Sequence, residues 1–203
     1  MFGKLAADAL GLSDIGSVIA PADYGKVDAD DYVMHEDDEK IYFLIKSKVD
    51  EYCFTSKALI HLDGTSAVSK KRMLRRFSYA ANRISGVLLE TAGTVDMDVE
   101  LKFNIGEAPY SIDVHKKHLE QLKDIYKALI RIAEIQHEGE IAMEYARLSL
   151  NTAAATLGRS TNSAPVVESF NALTQASYGW LSGAHQKYVV KDFGSVFERY
   201  IHA

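Results

Sequence analysis

Alternation of apolar and polar residues dominates the first half of the chain. In TVDMDVELKFNI (94–105), Val95, Met97, Val99, Leu101, Phe103 and Ile105 alternate with polar neighbours, which predicts a strand with one buried and one wet face. EAPYSIDVH (107–115) repeats the pattern, with Tyr110, Ile112 and Val114 on one side. KIYFLIKS (40–47), EYCFTS (51–56), KALIHLDG (57–64) and RISGVLLETAG (83–93) are short runs rich in β-branched and aromatic residues. Asp63-Gly64 supplies a strong turn signal between them. Short strands with tight connections predict an antiparallel barrel or sandwich rather than parallel βαβ units.

After His115 the period changes. Leu119, Leu122, Ile125, Tyr126, Leu129, Ile132 and Ala133 recur at helical spacing, and no proline or glycine intervenes before Gly139. This predicts a helix over 116–136 that ends at that glycine. Beyond it, EIAMEYARLSLNTAAATLG (140–158) is rich in alanine and carries Ile141, Tyr145, Leu148 and Thr152 on one stripe. RSTNSAP (159–165) reads as a loop, and Pro165 as the first-turn residue of a second helix. That helix carries Phe170, Leu173, Ser177, Trp180, Leu181, Ala184 and Tyr188 on its stripe, so the pair predicts an αα-hairpin. The tail keeps Phe193, Val196, Phe197, Tyr200 and Ile201, too apolar for a free end.

Composition narrows the function classes. Apolar residues make up 47% of the 203 residues, enough for a folded core. The net charge of −5 argues against general nucleic-acid binding. Cys53 is the sole cysteine, which excludes an intrachain disulfide and fits a reducing compartment. MFGKLAADALGL lacks the long apolar core of a signal peptide and reads as a short amphipathic helix through Phe2, Leu5, Ala6 and Ala9. No apolar run is long enough to span a bilayer, so a cytoplasmic location is expected.

One stretch runs against the negative balance. SKKRMLRRFSY (69–79) packs in Lys70, Lys71, Arg72, Arg75 and Arg76. As a strand it would place Lys71, Met73, Arg75 and Phe77 on one face and Lys70, Arg72, Leu74 and Arg76 on the other. The functional reading is a clasp for a phosphate headgroup or an acidic partner, because arginine binds phosphate bidentately. The structural reading is an edge strand guarded against aggregation, or cations neutralising DADDYVMHEDDE (28–39), itself expected to be a solvated loop. His115 and His118 are three apart, but nothing completes a metal set, so no metal and no cofactor is expected. His61 reads as a structural histidine and Cys53 as a packed thiol. DFG (192–194) lacks the other kinase elements. No nucleotide fingerprint, nucleophile elbow or zinc-protease motif occurs, so no catalytic residues are assigned and no enzyme is expected.

Two blocks carry a family resemblance. YCFTSKALIHLD (52–63) resembles the phenylalanine-threonine strand element of bacterial pleckstrin-homology (PH) domains. RFSYAANRISGVLLETAGTVDMDVELKFNI (76–105), including Glu90 to Thr94 and the Asp98 to Leu101 strand, resembles that family's most characteristic block. The helical remainder resembles a YvbH-like oligomerisation region. The chain departs from the family pattern at Ala58, where a cation often precedes the Leu-Ile pair.

The resemblance implies an α+β fold: a PH-like seven-stranded antiparallel barrel over 1–137, capped by a helix and followed by a helical hairpin over 138–203. It also implies assembly into cyclic homo-oligomers, five-fold rings in particular, with no catalytic activity and no established ligand. The barrel already has its capping helix, so the hairpin stripe is expected to meet sister chains. Ile141, Tyr145, Leu148, Phe170, Leu173, Trp180 and Leu181 are the expected interface. A non-enzymatic ring-forming scaffold is the first expectation. A peripheral module that binds anionic lipid or another phosphorylated ligand through the basic cluster is the alternative. The latter would bring membrane contact without insertion; other protein partners are not specified by the sequence.

Overall fold

A computed structural model of the chain describes residues 15–64, 72–91, 98–157 and 166–202. The chain divides into two compact units, residues 1–133 with 191–203, and residues 134–190.

The first unit is built on two antiparallel sheets. One runs in order through β1 (Ser17–Val18), β2 (Ile41–Lys46), β3 (Asp50–Thr55), β4 (Ala58–Asp63) and β5 (Met73–Ser78). The other comprises β6 (Ile84–Glu90), β7 (Asp98–Ile105) and β8 (Ala108–His115). The expected seven-stranded barrel is corrected in two respects. A two-residue strand, β1, adds an eighth, and the sheets do not close among the described residues. One pair of edges does meet: the Gly16 N–H donates to Asp113 O at 2.8 Å and the His115 N–H to Gly16 O at 2.9 Å. A Cβ at Gly16 would lie 2.8 Å from Ile45 Cγ2, so only glycine permits this approach. Between β5 and β6 the chain instead turns on bonds from the Ala81 and Asn82 N–H groups to Ser78 O, and no ladder joins the two strands.

Strand alternation explains where side chains go. In β7, Val99, Leu101, Phe103 and Ile105 are buried and their neighbours half-buried, as the pattern predicts; Val95 and Met97 fall outside the described residues. The β7–β8 turn needs Gly106, whose φ of +58° disfavours side chains. β4 is buried at five successive positions, so both of its faces are covered. Leu59 and Phe54 face the inter-sheet core, while Ile60, Leu62, Cys53 and Leu44 form a second cluster with Val27, Ala29 and Val33. The acidic stretch is therefore no solvated loop. It folds as the 3-10 turns Asp28–Tyr32 and His35–Asp37, which follow a first such turn at Pro21–Lys26, and the segment presses its few apolar residues onto the sheet. Burying those residues outweighs the desire of their acidic neighbours for water, because the neighbours point outward or find partners.

Helix α1 (Leu119–Leu157) follows a 3-10 turn at Lys116–His118. Of the predicted stripe, Leu122, Ile125, Leu129 and Ile132 are fully buried, joined by Ala128, while Leu119, Tyr126 and Ala133 are half-buried. The helix does not stop at Gly139; it runs on through it for 18 residues, to Leu157. Gly139 is a close-approach position, since a Cβ there would overlap the carbonyl oxygen of Tyr188. Helix α2 (Val166–Tyr188) is the second arm of the hairpin. The 159–165 loop, with Pro165, and the N-terminal helix expected through Phe2 to Ala9 lie outside the described residues.

Residues 191–203, which the sequence reading groups with the hairpin, belong to the first unit. The Phe193 N–H donates to Ser56 O at 2.7 Å, and helix α3 (Gly194–Tyr200) buries Val196 and Phe197. The Phe197 ring stacks on Tyr42 at 5.3 Å, and Tyr42 Oη donates to Glu198 at 2.7 Å. Burial first, then the neighbouring Glu198 carboxylate, pushes the Tyr42 phenol up to about 12.

Candidate functional site

The basic strand β5 shows what its arginines do. Arg72 pairs with Asp28, and Arg76 sends Nη2 to both oxygens of Glu39 at 3.0 Å. Both arginines lie on the face of the sheet that the acidic 3-10 segment covers as a lid, as alternation requires. Arg75, on the other face, pairs with Asp63 at 3.1 Å and brings Nη1 to within 3.5 Å of His61 Nδ1. Lys70 and Lys71 lie outside the described residues. The described arginines of the predicted phosphate clasp are thus each engaged with a carboxylate of the same chain.

Glu39 is the centre of this arrangement. It is buried, yet its pKa is lowered. Burial alone would raise it, but hydrogen bonds from Thr55 Oγ1, Arg76 and the Met34 N–H stabilise the carboxylate. A charge removed from water must be paired, and here Arg76 and two neutral donors do it. The chemical consequence is a clasp that fastens the acidic lid to the sheet. Glu51 does the same at the lid's other end, accepting from the Ala29 N–H at 2.7 Å and pairing with Lys46.

The second polar constellation was not legible as a site. His61 is buried, stacked on Tyr52 at 4.5 Å, with Asp50 Oδ1 3.3 Å from Nε2 and Tyr110 Oη 3.3 Å from Nδ1. Tyr110 reaches over from the three-stranded sheet and also stacks on Phe103 at 5.3 Å. The residues come from β3, β4, β5 and β8, which no local spacing announces; only the register Tyr52 to His61 to Arg75 aligns three of them. Desolvation raises the Tyr52 and Tyr110 phenols, so both stay protonated donors. Cys53, on the opposite face, is fully buried and its thiol is pushed well up by burial, which leaves it inert. His115 Nδ1 accepts from the Lys117 N–H, and His118 Nδ1 faces Gln121, so the two imidazoles serve different partners.

The second unit presents the other predicted residues. Trp180 Nε1 donates to Ala146 O at 3.0 Å across the hairpin, and Ala142, Ala146, Gly179, Gly183 and Ala184 line a groove of about 460 Å³ between its arms. Small residues allow the arms to approach. Tyr145, Leu148, Phe170, Leu173, Trp180 and Ile141 are exposed, and Leu181 is half-buried. Val167 and Tyr178 are exposed too, though the stripe reading left them out. Among the described residues no helix is long and apolar enough to cross a membrane.

Comparison with known proteins finds two successive regions, the second running on through the tail that packs with the first unit. Residues 9–133 match the family described as bacterial PH domain, and residues 144–203 match the YvbH-like oligomerisation region. The chain belongs to the bacterial PH domain family. It is 55% identical over 202 residues to the uncharacterised protein YvbH of Bacillus subtilis strain 168, covering 99% of each chain. It is also similar to a crystal structure of a PH-domain-containing protein from Exiguobacterium sibiricum 255-15. That similarity has 56% identity and a TM-score of 0.86, covering 93% of this chain and all of the other. The PH-like fold with antiparallel sheets and C-terminal helices is therefore shared with an experimental structure of a relative.

Proposed function

We propose that the protein is a non-catalytic, self-assembling scaffold that forms cyclic homo-oligomers. The observation that carries the reading is the set of large apolar side chains that the hairpin leaves exposed. Tyr145, Phe170 and Tyr178 are 65%, 67% and 76% exposed, and they sit with Leu148, Val167 and Trp180 in a segment that matches an oligomerisation region. Exposed apolar surface of this extent marks an interface. Covering each aromatic contributes about 2 kcal/mol, so a few per chain decide association.

The first unit adds support for ring closure. Edge strand β5 exposes Met73 and Leu74, and edge strand β6 exposes Leu88. Contact between two different edges of neighbouring copies is heterologous, and a heterologous contact that closes gives a ring, five-fold in the implied case. The test is the absolute mass of the native particle by light scattering. Phe170→Asp and Leu148→Asp should each lower it across micromolar concentrations. A wild-type monomer, or unchanged mass in both variants, would refute the hairpin contact.

A further inference from the structure

We draw no further inference here: the strongest candidate, the small-residue groove between the hairpin arms lined by Ala142, Ala146, Gly179 and Gly183, belongs to the exposed hairpin surface already proposed as the contact between copies, and nothing in the structure shows another occupant for it.

Discussion

Phe197→Ala tests whether the tail is an integral part of the PH-like unit. Phe197 is fully buried; its ring stacks on Tyr42 at 5.3 Å and lies 6.2 Å from Tyr79. Neighbouring Phe193 meets Tyr79 edge-on at 5.8 Å, so the truncated site is walled by rigid rings that cannot collapse into the space. Removing the ring therefore costs the transfer term plus a cavity, about 3 to 5 kcal/mol. That is a large part of the ~5 to 15 kcal/mol that holds a typical domain together. At about 2 to 4 °C per kcal/mol for a chain of this size, the melting temperature should fall by roughly 10 °C. Calorimetry at fixed protein concentration reads this, with Phe170→Ala as the comparison, since Phe170 is two-thirds exposed and lies in the other unit. Should Phe197→Ala melt with the wild type, the tail does not anchor the unit and the aromatic contacts assigned to it are wrong. The same reasoning makes truncation at residue 138 a poor probe of the hairpin, because it strips Phe193 and Phe197 from the core as well.

Glu39→Gln should cost about 2 kcal/mol at neutral pH, because Arg76 loses its buried counter-charge while half-open to water. Glu39 has a lowered pKa, so its contribution is present above the ordinary carboxylate value and is lost as pH falls through the folded value. Urea midpoints between acid and neutral pH should therefore drop more steeply for the wild type than for Glu39→Gln; parallel curves would contradict the clasp. Gly139→Ala would gain about 1 kcal/mol from helix propensity in an open helix. Here the new Cβ meets the Tyr188 carbonyl, so the hairpin should instead lose stability, and a gain in thermal helicity would refute the close approach.

Local pattern determined much of this protein. Strands β7 and β8, the buried stripe from Leu122 to Ile132 and the two amphipathic arms follow from periodicity, because side-chain direction is fixed by backbone period alone; β2, β3, β4 and β6 follow from short β-branched and aromatic runs bounded by turn residues. The family was likewise written in contiguous residues, Tyr52 to Asp63 and Arg76 to Ile105. The alternation of β5 even divided its arginines correctly into two faces, although not their partners.

Tertiary structure decided what depends on residues distant in sequence. The acidic stretch became a lid because Val27, Ala29 and Val33 found Cys53, Ile60 and Leu62, and because Glu39 met Arg76. Gly139 stayed helical because what it accommodates is the Tyr188 carbonyl, not a turn. Phe193 and Phe197 returned to Tyr79 and Tyr42 across more than a hundred residues. Charge and burial are settled by which surfaces meet, and a sequence read residue by residue holds only the directions in which its side chains can reach.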